Sequence, residues 1–259
     1  MLRSMNTAAS GMEAQELKVD LIAHNLANVN TTGFKKARAE FQDLLYESVK
    51  TVSGKDGEAA PVGLEVGQGV RASATLREFT PGALRQTGQT LDVAIEGAGF
   101  LQVRRPNGQL GYTRDGSLKM DAGGRLVTSD GNPIEPAITL PDRAQKIAIA
   151  ADGTVSAIVG ESTDPVDLGR VQLADFANAS GLVPLGHNMF EASASAGPAI
   201  VGNAGTEGFG TLSQGYLEAS NVKVVEEMIE LIATQRAYET SSRVIQAADE
   251  MLRTTAQLR

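Results

Sequence analysis

Apolar residues recur at every seventh position at both ends of this 259-residue chain. Near the start, Met5, Met12, Val19 and Leu26 are spaced by sevens, with Ala8, Ile22 and Val29 at the interleaved offset and only Gln15 interrupting the seam. Near the end, Val224, Leu231, Tyr238, Ile245 and Leu252 repeat in the same way, flanked by Val225, Met228, Ile229 and Ile232. That period belongs to helices that pack along one another and is incompatible with strands, whose side chains alternate by two. The remaining seam positions of the second segment fall on Gln235, Ser242 and Asp249, so its apolar surface is wide at first and narrow later. Glu226, Glu227 and Glu230 suit the start of a helix dipole, and Arg253 and Arg259 suit its end. Glu239 with Arg243 and Asp249 with Arg253 stand at the i,i+4 spacing of ion pairs. A C-terminal helix from Asn221 to about Leu258 is predicted, on the order of 55 Å long, with an N-terminal helix of about 40 Å.

Between the ends the pattern changes. The stretch 91–134 alternates short apolar runs with "PNG", "RDG", "DAGG" and "SDGNP", which is the signature of antiparallel hairpins. "KIAIAADGTVSAI" repeats it, with Asp152 and Gly153 at the turn. Residues 47–69, "ESVKTVSGKDGEAAPVGLEVGQG", are Gly-rich and polar and read as an extended stretch or linker. The fold class expected is α+β: terminal helices forming a coiled-coil core domain from 1–46 and 215–259, an extended stretch at 47–70, and a mainly antiparallel β domain at 71–214.

The first helix stops in "HNLANVNTTGF" (24–34), where Asn28, Asn30 and Gly33 are residue types that enter the left-handed conformation of a helix end. A cap explains the stop but not the missing partner for the apolar stripe. A lone helix of this length is marginal in water, and the only other long striped helix lies at the opposite terminus, so the two are expected to pack together. Such a pair still leaves Val225, Met228, Ile229 and Ile232 on a second side. It reads as part of a larger bundle completed by other copies.

Composition removes several classes of function. Zero Cys exclude a disulfide framework and any Cys-based metal site. A net charge of −8 and pI near 4.9 argue against a nucleic-acid binder. The acidity sits in the middle, where residues 46–214 carry 13 basic and 19 acidic side chains. "MLRSMNTAASGMEAQ" lacks the continuous apolar core of a cleaved signal peptide, so export by another route is expected. Of the two His, neither His24 nor His187 has a second ligand at metal spacing. "GAGFLQ" places Gln102 where a dinucleotide loop needs its third glycine. Asp115, Asp121 and Asp130 fall in hairpin turns without calcium-loop spacing, and "NTT" and "NAS" fit the glycosylation pattern by chance. No catalytic, cofactor-binding or metal residue is expected, and neither is a membrane insertion. A secreted β-rich adhesin accounts for the hairpins and glycines but has no use for matched stripes at both ends.

"HNLANVNTTGFKKARAEFQDLLYE" (24–47), "LDVAIEGAGFLQV" (91–103), "YTRDGSLKMDAGGRLVTSDG" (112–131), "PAITLP" (136–141) and "QGYLEASNVKVVEEMIELIATQRAYETSSRVIQAADEML" (214–252) together resemble the rod, hook and filament-junction family of bacterial flagellar axial proteins. The likeness covers nearly the whole chain, with His24 standing where the family has Asn. Within the family the chain is most similar to members that build the distal rod, since it has a middle domain absent from the small proximal rod proteins and no room for the further outer domain of the hook protein. The family implies a helical homopolymer whose terminal helices line the core and whose β domains lie outside, acting as a drive shaft across the periplasm. It implies contacts with proximal rod proteins, the hook protein, the surrounding basal-body rings and the flagellar export apparatus. The assembly seam expected from the periodicity is Met5, Met12, Val19, Ile22, Leu26 and Val29 on the first helix, and Val224, Met228, Leu231, Ile232, Tyr238, Ile245 and Leu252 on the second. Asn25, Asn28, Asn30, Gly33 and Phe34 form the family motif at the helix stop, and the stretch bearing Glu47, Pro61 and Gly69 is expected to lie against neighbouring subunits and stiffen the shaft.

Overall fold

Helices close both ends of the chain and antiparallel strands fill the interval, as the change of apolar period predicts. In the structure, a computed structural model that describes residues 2–50, 64–141, 144–160 and 164–257, α1 spans Leu2–Ala27 and α2 spans Val224–Gln257. Asn221 lies outside α2, because its side chain is held by backbone groups elsewhere. Glu226 and Glu227 occupy the first turn of α2, where carboxylates meet the positive end of the dipole. Of the two ion pairs expected along this helix, Asp249 and Arg253 meet at 3.0 Å. Glu239 and Arg243 are not paired among the described residues.

The chain divides into two units: Met1–Ala27 with Ala37–Arg77 and Lys223–Arg259, and Asn28–Lys36 with Glu78–Val222. These limits differ from those read in the sequence. Residues 28–36 join the β-rich unit because Lys35 and its neighbours bond there, and the described ends of 47–70 join the helical unit because they are paired strands.

In the helical unit β1 (Ala37–Asp43), β2 (Tyr46–Lys50), β3 (Leu64–Gly67) and β4 (Val70–Arg77) form an antiparallel ribbon. β1 pairs with β4 from Ala37 opposite Arg77 to Asp43 opposite Val70, with a bulge at Glu40/Phe41. β2 pairs with β3 from Tyr46 opposite Gly67 to Lys50 opposite Leu64. A two-stranded ribbon is marginal by itself. α1 supports it: Arg3 pairs with Glu47 at 2.7 Å, and the Val70 N–H donates to Ser10 Oγ at 3.3 Å. Gly69, at φ 120°, passes so close to α1 that a Cβ would collide with Ser10.

The β-rich unit is built on a sheet with strand order Val183–Gly186, Met189–Glu191, Leu110–Thr113, Phe100–Arg104, Gln172–Asp175 and Ile200–Asn203, with Ile134–Glu135 also against Phe100–Arg104. Every pairing is antiparallel. A three-stranded meander, Ala144–Ile149, Thr154–Val159 and Val166–Arg170, turns at Asp152–Gly153 as expected. One face of the sheet packs on an aliphatic core that includes Val93, Ile95, Leu101, Val103 and Leu173. A second cluster gathers Phe100, Tyr112, Phe176 and Phe190 with Phe79, their rings edge-to-face at 4.8–6.2 Å between centroids. This geometry adds about 0.5–1.5 kcal/mol per pair beyond burial.

Candidate self-assembly surface

Within the helical unit α1 and α2 run antiparallel. Lys18 reaches Glu230 at 3.4 Å, Asn25 reaches Glu227 at 3.2 Å, and Gly11 lies opposite Ser241. The surface between them is made of small and polar side chains. Ala8, Ala14, Ile22 and Asn25 are buried on α1, and Glu227, Thr234 and Ala248 on α2, with Leu231, Ile245 and Leu252 half-buried beside them. The inner positions of α2 that alternate with Leu231, Ile245 and Leu252 are therefore Thr234 and Ala248, one residue before the expected Gln235 and Asp249. Thr and Ala fit a close approach of two helices that Gln and Asp would obstruct.

The other seam residues lie further out. Met5, Met12, Val19 and Leu26 are half-buried, and Val29 sits in the turn beyond α1. Val224 and Tyr238 are exposed, and Val225, Met228, Ile229 and Ile232 remain 69, 50, 62 and 52% exposed. The last four follow the 3/4 spacing of one helix face, so α2 turns a continuous apolar strip away from α1. Burying the exposed half of four such side chains is worth about 3–6 kcal/mol before entropy. Among the described residues no helix is long and apolar enough to cross a membrane.

The family motif bonds in a way the cap reading does not foresee. Asn25, 3% exposed, uses its amide as a strand would use its backbone: Nδ2 donates to the Ala37 carbonyl and Oδ1 accepts from the Ala37 N–H, both at 2.9 Å. The same Nδ2 also donates to Glu227. One side chain thus ties α1 to the first residue of β1 and to the first turn of α2. Asn28 and Asn30 do not adopt left-handed backbone. Only Gly33 does, at φ 67°, and a Cβ there would meet the Arg114 carbonyl carbon at 2.8 Å. Asn28 instead closes a turn, its carbonyl accepting from Thr31 N at 3.1 Å.

Beyond the turn, Phe34 is buried and Lys35 is fully buried in the β-rich unit. Lys35 Nζ donates to Glu218 Oε1 at 2.5 Å and to the Thr80 carbonyl at 2.7 Å. Glu218 also accepts from Arg114 at 3.1 Å and from the Gly82 N–H at 2.8 Å, and Arg114 donates to the Gly97 carbonyl at 2.6 Å. Burial holds the Lys35 ammonium below its ordinary value, against the pull of Glu218 in the other direction. Around this cluster the Gly33 N–H donates to the Glu218 carbonyl, and Asn221 accepts from Lys36 N and donates to the Glu78 carbonyl. Lys35, Arg114, Glu218 and Glu227 escape a sequence reading, because a charged letter in a polar stretch reads as solvated. The one available signal is Glu218, which follows Leu217 in a short strand.

Glu47 and Gly69, expected to face neighbouring subunits, engage α1 of their own chain; Pro61 lies outside the described residues. Of the three acidic turn residues, Asp115 holds its loop by accepting from Ser117 N, and Asp121 by accepting from Arg125 N and Gly123 N, bonds that with the Arg125 guanidinium hold its carboxyl below the usual range.

Terminal helices with unspent apolar surface, flanking a β unit, are the build of a flagellar axial protein. Family models agree: "Flagella basal body rod protein" matches residues 5–35, "Flagellar hook protein FlgE/F/G D1 domain" matches 94–157, and "Flagellar basal body rod FlgEFG protein C-terminal" matches 213–258. The flagellar basal-body rod protein FlgG of Borreliella burgdorferi is 45% identical over 256 residues, covering 97% of each chain. That of Caulobacter vibrioides is 44% identical and that of Bacillus subtilis 36%, each over the full length of both chains. The chain belongs to the family of flagellar basal-body rod proteins.

Proposed function

We propose that the chain, a structural subunit of the flagellar basal-body rod, polymerises with its own copies through the outer faces of α1 and α2. The carrying observation is the apolar strip Val225, Met228, Ile229 and Ile232, which α1 leaves uncovered. In the polymer the terminal helices form a coiled-coil core and the β-rich units lie outside. The full-length likeness to proteins named FlgG supports a place in the distal rod, where the polymer carries torque across the periplasm to the hook. Proximal rod proteins, the hook protein, the surrounding rings and the export apparatus are its partners on this reading, which is structural and not catalytic. The stretch 47–70 keeps its proposed stiffening role, its described ends lying in the ribbon braced on α1.

Ile229→Asp in the full-length chain tests this. Ile229 projects away from α1, so the fold should survive while assembly is lost, because an unpaired charge in an apolar interface costs several kcal/mol. Sedimentation and negative-stain images should show filaments for the parent and none for the variant. Filaments at the parent's concentration would remove the strip from the assembly. Leu231 is a poorer probe, since it also packs between the two helices of one chain.

A further inference from the structure

The chain has no Cys and no Trp, so its thioethers are the side chains that a peroxide oxidises most readily. Among the described residues the methionines divide by access. Met5, Met12 and Met189 are half-buried, and the Met189 sulfur accepts from Asn132 Nδ2 at 3.7 Å. Met120, Met228 and Met251 are 53, 50 and 50% exposed. Met120 belongs to the β-rich unit, and Met251 lies near the far end of α2. Met228 alone of the three stands in the apolar strip, one helical turn after Val225, beside Ile229 and one turn before Ile232.

We propose that Met228 is a modification site for peroxides, and that its oxidation in the free subunit blocks polymerisation. This rests on the self-assembly reading, in which a second copy covers the strip, and adds a chemical control to it. The sulfur lone pair attacks one peroxide oxygen and the O–O bond breaks. The departing hydroxide takes the proton of the transferred oxygen and leaves as water, so sulfur loses two electrons and the peroxide gains them. The sulfoxide carries a strong hydrogen-bond acceptor into a strip whose other members, Val225, Ile229 and Ile232, offer no side-chain donor. Seating it against a second copy strips that acceptor of water without supplying a partner. In the polymer the same sulfur is covered, so a completed filament resists the reagent that stops its subunits. Methionine sulfoxide reductases reverse the change, the oxygen leaving as water while two thiols are oxidised to a disulfide.

The experiment treats full-length monomer and assembled filaments with hydrogen peroxide and reads the oxidation of each methionine by peptide mass spectrometry. Met228 should oxidise in the monomer and be protected in the filament. Oxidised monomer should show a critical concentration for assembly about tenfold above the parent's. The two reductases, one for each sulfoxide epimer, should restore the parent value. Met228→Leu should assemble like the parent and lose the sensitivity to peroxide, whereas Met120→Leu/Met251→Leu should keep it. Met228→Gln, which sets a neutral polar group of similar length in the strip, should raise the critical concentration with no peroxide present. Sensitivity that persists in Met228→Leu, equal oxidation of Met228 in monomer and filament, or oxidised monomer that polymerises like the parent would each overturn the proposal. If one of these occurs while Ile229→Asp still blocks assembly, the strip stands and only its chemical control is lost. Filaments formed by Ile229→Asp would count against the strip itself, and a parent that stays monomeric at every concentration would remove both.

Discussion

Replacing Glu218 with Gln tests the buried cluster most directly. The carboxylate is 1% exposed and sits between Lys35 at 0% and Arg114 at 3%, so one anion meets two desolvated cations. Gln keeps the size and one acceptor but removes the charge, leaving Lys35 and Arg114 beside each other without a formal negative charge from this side chain, while their bonds to the Thr80 and Gly97 carbonyls remain. Breaking a buried pair from one side costs about 3–5 kcal/mol. For a unit of this size one kcal/mol moves the midpoint by about 2–4 °C, so the near-ultraviolet melting transition of the aromatic cluster should fall by about 6–20 °C. Lys35→Met should cost less, because it leaves Glu218 paired with Arg114 and removes a cation that burial already disfavours. A loss under about 2 °C for Glu218→Gln, or a larger loss for Lys35→Met, would refute this account of the charge balance.

The pH dependence of Lys35→Met carries a sign. Since the native Lys35 pKa is lowered from 10.5, the unfolded chain holds a proton that the native state has released in the window below 10.5. Parent stability should therefore rise through that window relative to the variant, as followed by urea unfolding at stepped alkaline pH. Asn25→Asp should destabilise the helical unit by about 2–4 kcal/mol, because a carboxylate cannot donate to Ala37 and sets a like charge beside Glu227; acidification should recover part of the loss in a thermal melt followed by far-ultraviolet circular dichroism. Gly33→Ala should cost about 1–3 kcal/mol, from the left-handed backbone and the collision with Arg114, measured by chemical unfolding. Arg170→Ala, which breaks a pair with Asp152 on the surface, should change stability by at most about 1 kcal/mol.

The helices are legible in the sequence because an apolar period of seven matches two helical turns and no strand, and the hairpins because Asp-Gly and Asn-Gly turns punctuate them. Which face of each helix meets its own partner is not legible. Period gives spacing but not direction, and here the small residues Ala14, Thr234 and Ala248 turn inward while Val225 and Ile229 turn outward. The ribbon resembles a linker in sequence because its Gly-rich middle masks short pairing segments such as Tyr46–Lys50 and Leu64–Gly67. The buried ions are hidden by distance along the chain: Lys35 and Glu218 lie 183 residues apart, and Arg114 and Glu218 lie 104 apart, so only the folded chain brings them together. Asn25 is legible as part of a motif, but its role as a surrogate peptide group depends on Ala37 and Glu227 arriving on either side.

The bond between Asn25 and Glu227 spans 202 residues. Translation therefore delivers α1 first and its partner last, and no intermediate length of nascent chain can cover the inner stripe of α1. Bringing such distant ends together costs little extra at equilibrium, since loop entropy grows only with the logarithm of length, but long-range contacts delay folding. A chain cut short just before Glu227 would carry the β-rich unit complete but a leading helix without its partner, a product that proteases and holdases can tell from the finished subunit.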